Sequence, residues 1–78
     1  MQHYVVQVWK SVRIADRQQA GAEDYEEPTE AYTPAEAAKN ILAAKHVSGT
    51  FYVEVRLKDD KQQCWGYDDT NSEIQTEQ

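Results

Sequence analysis

The sequence predicts a small α+β domain, an antiparallel sheet with one helix packed on one face, in the chain order ββαββ or βαββ. Three observations lead there. Apolar residues alternate with a period of two near the start and again over residues 51 to 58, as half-buried strands require. Between them stands a helix start, Thr33-Pro34-Ala35-Glu36. After them, Asp59-Asp60 marks a turn that leads into a returning strand.

Residues 3 to 15 read as the first strand, with Tyr4, Val6, Val8, Val12 and Ile14 on one face and Val5, Gln7, Trp9, Ser11 and Arg13 on the other. Lys10 interrupts the apolar face and marks a bulge, a frayed edge or the point where the strand leaves the core. Residues 16 to 24 carry no periodicity and read as a polar loop. In residues 25 to 32, Tyr25, Glu27, Thr29 and Ala31 alternate with Glu26, Pro28, Glu30 and Tyr32. A proline inside such a run confines it to a sheet edge, so this segment is taken as a short edge strand.

The helix has Thr33 as N-cap, Pro34 at its first position and Glu36 placed to return a bond to the cap amide. It is expected to run to about His46, with Ala37, Ala38, Ile41 and Leu42 as its apolar stripe. Lys45 and His46 suit the negative end of the helix, and Gly49 is placed to help end it. Phe51, Val53, Val55 and Leu57 then define the clearest strand, and residues 62 to 67 its hairpin partner.

Hairpin register decides where the aromatics go. A two-residue turn pairs Val55 with Cys64 and sends Tyr52, Trp65 and Tyr67 to the face away from the helix, as an exposed patch. A three-residue loop pairs Val53 with Trp65 on the core side, the arrangement that burial alone favours.

At 78 residues the chain accommodates one core, which buries about 60% of the unfolded surface. Residues 1–69 are read as that domain. Residues 70–78 are read as a disordered acidic tail, because Ile74 is their one sizeable apolar residue. Apolar runs of two or three residues fall far short of the roughly 20 needed to span a bilayer, and the first residues lack the pattern of a secretory signal. The lone cysteine, Cys64, cannot form an internal disulfide. With a strand at Met1 and a polar end, the chain reads as a complete small product of the cytoplasm, of a cell or of an infected host.

The net charge is −6, fourteen acids against eight bases, which disfavours direct binding to nucleic-acid phosphates. The contrary reading needs Lys10, Arg13, Arg17, Arg56, Lys58 and Lys61 to converge on one face. Between Arg17 and Lys39 there is no base, while Glu23, Asp24, Glu26, Glu27, Glu30 and Glu36 fall inside that interval. A second acidic group comprises Asp59, Asp60, Asp68, Asp69, Glu73 and Glu77.

No phosphate loop, metal-ligand spacing or nucleophile–base set is present, so neither an enzyme nor a cofactor is expected. His3 and His46 lie at a strand start and a helix end. Cys64 is read as a small buried hydrophobe, and the pairs Asp59-Asp60 and Asp68-Asp69 as solvated turn acids. The residues expected to bind a partner are acidic, Glu23, Asp24, Glu26, Glu27, Glu30, Glu36, Asp59 and Asp60, and aromatic, Trp9, Tyr52, Trp65 and Tyr67. Acids attract a basic partner, and Trp and Tyr are common interface anchors.

These features point to a non-enzymatic binding protein that docks on a basic, nucleic-acid-binding protein and inhibits or modulates it. In class it resembles small acidic phage-type inhibitors, among them anti-CRISPR proteins and DNA mimics, whose carboxylates stand in for phosphates. The alternative is a structural or assembly subunit, including a homodimer, that uses the aromatic sheet face or an edge strand.

Overall fold

The computed structural model describes residues 1–12, 21–60 and 62–74. Along the chain run β1 (Gln2–Lys10), β2 (Tyr25–Ala31), α1 (Pro34–Ala44), β3 (Phe51–Leu57) and β4 (Cys64–Asp68). All strand pairs are antiparallel, in the order β2-β1-β3-β4, and α1 packs on one face. The predicted α+β class and the ββαββ order are both present.

Alternation builds the helix-side face. Register aligns Tyr25, Val8, Val53 and Tyr67 in one row across the sheet, and Glu27, Val6, Val55 and Trp65 in the next. Val6, Val8, Val53 and Val55 are fully buried there beneath Ala37, Ala38, Ile41 and Leu42 of the helix. The small alanines let the helix approach closely, so a chain this short still closes a core.

β1 is shorter than expected. It ends at Lys10, because Ser11 adopts a left-handed backbone (φ 63) and turns the chain, its N–H donating to the Thr50 carbonyl at 2.7 Å. Lys10 is thus the point where the strand stops. Arg13, Ile14 and Arg17, expected on or beyond this strand, lie outside the described residues.

Thr33 caps α1 as expected, its Oγ1 accepting the Glu36 N–H at 3.1 Å. Glu36 returns its carboxylate one residue further back than the expected cap amide, to the Tyr32 N–H at 2.6 Å. At the other end, His46 makes the left-handed turn of the cap (φ 55), and Gly49, also left-handed (φ 78), comes three residues later. The His46 and Val47 N–H groups donate to the Ala43 and Leu42 carbonyls, the paired bonds of a Schellman cap. Lys45 does not serve the helix end alone: its Nζ lies 2.9 Å from Glu27 and over the Tyr25 ring, tying α1 to β2.

The hairpin register differs from both expected forms. Val55 pairs with Trp65 and Val53 with Tyr67, and the ladder continues to Leu57, whose N–H meets the Gln63 carbonyl. The face assignment is the one that burial favours, with Trp65 and Tyr67 on the helix side.

Ile74 is 5% exposed and packs on the core, so the domain extends past the expected boundary at residue 69. Local bonds fold it back. Asp68 Oδ1 accepts from the Thr70 amide and hydroxyl, and the Asn71 and Ile74 amides donate to the Asp68 and Asn71 carbonyls. The tail expected at residues 75–78 lies outside the described residues.

Burial, reinforced by Glu73 and Tyr4, raises the Tyr67 hydroxyl above its ordinary pKa. The folded state therefore holds the Tyr67 proton more tightly than the unfolded chain. This contribution to stability is complete below the unfolded value of about 10 and is lost as pH rises through the folded value. Denaturant titrations from about pH 8 to 11 are expected to show a steeper alkaline loss of stability in the wild type than in Tyr67→Phe. Identical slopes would remove Tyr67 as the cause.

Candidate functional site

The sheet face away from the helix divides into a covered half and an open half. In the covered half, register aligns Trp9 with Tyr52 and Asp68, and Gln7 with Glu54 and Gly66, while Glu26, at the outer end of that second row, stays exposed. The Trp9 and Tyr52 rings lie 5.5 Å apart, and Trp9 Nε1 donates to the Gly21 carbonyl at 2.9 Å. The segment after residue 20 thus returns across this end of the face.

Glu54 is 6% exposed, a buried carboxylate that must be compensated. Tyr52 Oη donates to its Oε2 at 3.0 Å, and Arg56 Nη2 lies 3.0 Å from its Oε1. Arg56 Nη1 donates to Gln7 Oε1 at 2.7 Å, and Gln7 Nε2 reaches Glu23 Oε1 at 3.4 Å. The network joins β1, β3 and the segment before β2, and its chemistry is structural: carboxylate, guanidinium and amide are directed at one another. From the sequence alone, Tyr52, Glu54 and Arg56 form the mixed face of a half-buried strand. The available signal was opposite charges two residues apart on one strand face, flanked by a tyrosine.

The open half is made by β1 and β2. Here Val5 pairs with Pro28 and His3 with Glu30, and continuing the register by one residue sets Met1 opposite Tyr32. Among the described residues, Met1 and Tyr32 are the large apolar ones left exposed, at 71% and 69%. His3 Nδ1 stands 3.6 Å from Glu30 Oε2.

The direction of the backbone bonds completes this surface. Lys58 and Ser11 N–H donate to His3 and Thr50 carbonyls, so odd-numbered residues of β1 turn their backbone groups toward β3. Even-numbered residues of β1 therefore serve β2, as the Asp24 N–H bond to the Val8 carbonyl also requires. On β2, the partners of Tyr4, Val6 and Val8 bond inward, which leaves Glu26, Pro28 and Glu30 directed outward. Pro28 has no N–H to present there. The outer edge thus offers carboxylates, with its central donor deleted.

The expected acidic set does not form one cluster. Glu26 and Glu30 stand on the open face of the edge strand, and Glu27 lies on the helix side with Lys45. Glu23 is held by Gln7, Glu36 caps the helix, and Asp24 Oδ2 accepts the Lys10 N–H at 2.7 Å. Asp59 and Asp60 are exposed in the hairpin loop, where Asp60 Oδ1 accepts the Gln62 N–H.

The aromatic set splits between the faces. Trp9 and Tyr52 are buried on one, while Tyr67 is buried and Trp65 half-buried on the other, with Trp65 edge-on to Tyr4 at 6.2 Å. The exposed patch of Tyr52, Trp65 and Tyr67 is not formed. Cys64, expected to be buried, is exposed. Among the described residues, no three of His, Cys, Asp and Glu come together as a metal ion needs, and no helix is long and apolar enough to cross a membrane. An apolar groove of about 490 Å³ opens beside Leu42, Val47, Phe51 and Ile74, away from every residue expected to bind a partner.

Comparison with protein-family models, curated proteins and solved structures finds no match to this chain.

Gly66 is required by the network. A Cβ there would meet Tyr52 Oη at 2.8 Å, and that hydroxyl is held by Glu54. Gly66→Ala is expected to destabilise by about 1–3 kcal/mol, with the loss shrinking in a Tyr52→Phe background. A double-mutant cycle by chemical denaturation checks this, and strictly additive losses would contradict the contact.

Proposed function

We propose that this is a non-enzymatic binding protein that presents the open face of β2 to a basic protein of the kind that binds nucleic acid, and blocks or modulates it. The observation that carries the reading is the placement of Glu26 and Glu30 on an outer strand. They flank Pro28, with Tyr32 and Met1 exposed at the same end. At about 3.3 Å per residue the two glutamates stand about 13 Å apart along the strand. Guanidinium and ammonium groups donate to such oxygens as they do to phosphates.

The route of binding follows from Pro28. A partner strand cannot add fully to an edge whose central outward donor is missing, so recognition there runs through side chains. Tyr32, beside the carboxylates, supplies an apolar anchor of a type common in interfaces. The net charge of −6 supports fast capture of a basic surface and makes association salt-dependent.

A pull-down from native host lysate at low and high salt tests the reading, followed by competition of the captured protein with duplex DNA. Expected is a basic prey, released by salt and displaced by DNA, whose affinity falls at least tenfold for the Glu26→Lys, Glu30→Lys double variant. A prey indifferent to salt, to DNA and to these charges would overturn it.

A further inference from the structure

The open half of the sheet face carries its charges in stripes. Glu30 of β2 pairs with His3 of β1, and the β1–β3 ladder, continued one residue past Leu57, sets Lys58 opposite His3. The His3 carbonyl accepts the Lys58 N–H at 2.9 Å, which fixes that position. Glu30, His3 and Lys58 are exposed and, with Pro28, border one shallow pocket of about 250 Å³. The strands of Glu30 and Lys58 are two spacings apart, about 10 Å, with the imidazole between. Among the described residues Lys58 makes no ion pair, and Glu30 reaches His3 at 3.6 Å.

We infer that this open half docks on the same surface of a second copy of this chain, about a two-fold axis running along β1. Such a rotation lays β2 of each copy over β3 of the other and keeps every row level. Glu30 then meets Lys58 of the second copy, and Lys58 meets its Glu30, so the stripes complement each other twice. An axis across the strands would instead lay β2 over β2 and set carboxylates against carboxylates, which selects the first arrangement.

Sheets packed face to face lie about 10 Å apart, a gap that a glutamate and a lysine span from opposite sides. Val5, half-buried within one chain, lies on the axis against its own copy, and Tyr32, 69% exposed, is covered at the same end. The segment that returns over Trp9 occupies the other half of the face, so the two sheets meet at the Glu30 end and diverge from it. A contact of that extent makes a weak, salt-sensitive dimer. It covers a carboxylate proposed above for a basic partner, so self-association and partner capture compete. The inference does not rest on that partner, because it is tested on this chain alone.

Charge exchange provides the test. Glu30→Lys and Lys58→Glu move the net charge in opposite directions, yet each sets like charges opposite one another at both symmetric pairs. Each alone is expected to weaken the dimer about tenfold. The variant carrying both changes, and an equimolar mixture of the two single variants, are expected to restore it. Sedimentation equilibrium of the full chain at low salt, with circular dichroism to confirm folding, measures these affinities. Lys58→Glu keeps Glu26 and Glu30 in place, so it separates loss of the dimer from loss of the basic partner. A wild type that stays monomeric into the millimolar range, or a double variant no tighter than the single ones, would overturn the inference.

Discussion

The constraint on which the rest of this structure depends is the alternation of an antiparallel ladder. Each residue of β1 is committed twice over, to one face by its side chain and to one neighbour by its backbone groups. Once His3 bonds to Lys58, the parity of every strand follows. Val6, Val8, Val53 and Val55 go beneath the helix. Gln7, Glu54 and Arg56 go to the other face, and Pro28 and Gly66 turn outward at opposite edges. A slip of one residue would bury carboxylates and expose valines, which a core of this size cannot absorb.

The second face shows how a thin domain gains a second layer of order. A sheet with one helix leaves half its surface without apolar cover, and here the space is filled by Trp9, Tyr52 and a compensated carboxylate. Burying Glu54 is favourable only if its partners are in place, so the network is expected to contribute more to a unique arrangement than to raw stability. Gly66 lies at the limit of that packing. The absence of its side chain admits the Tyr52 hydroxyl.

What the sequence made legible was whatever has local periodicity or local chemistry. Thr33 and Pro34 start the helix, Val53 and Val55 alternate, and Pro28 marks an edge, all within a few residues of chain. Ser11, His46 and Ile74 escaped because their roles come from elsewhere: two hold left-handed turns without being glycine, and Ile74 is buried by a turn built from Asp68 and Asn71. The acidic run was legible as composition but not as a surface, because alternation sent Glu27 to Lys45 while Glu36 and Asp24 were drawn into backbone bonds. Hairpin register lay beyond sequence reading for a similar reason, since turn residues alone do not state loop length.

Amide hydrogen exchange, residue by residue, tests the ladder phase most directly. The account predicts slow exchange at Glu27, Thr29, Trp65 and Tyr67 and fast exchange at Glu26 and Glu30 under all conditions. Protection at Glu26 and Glu30, or fast exchange at Trp65 and Tyr67, would place the strands in another phase and contradict the assignment of both edges.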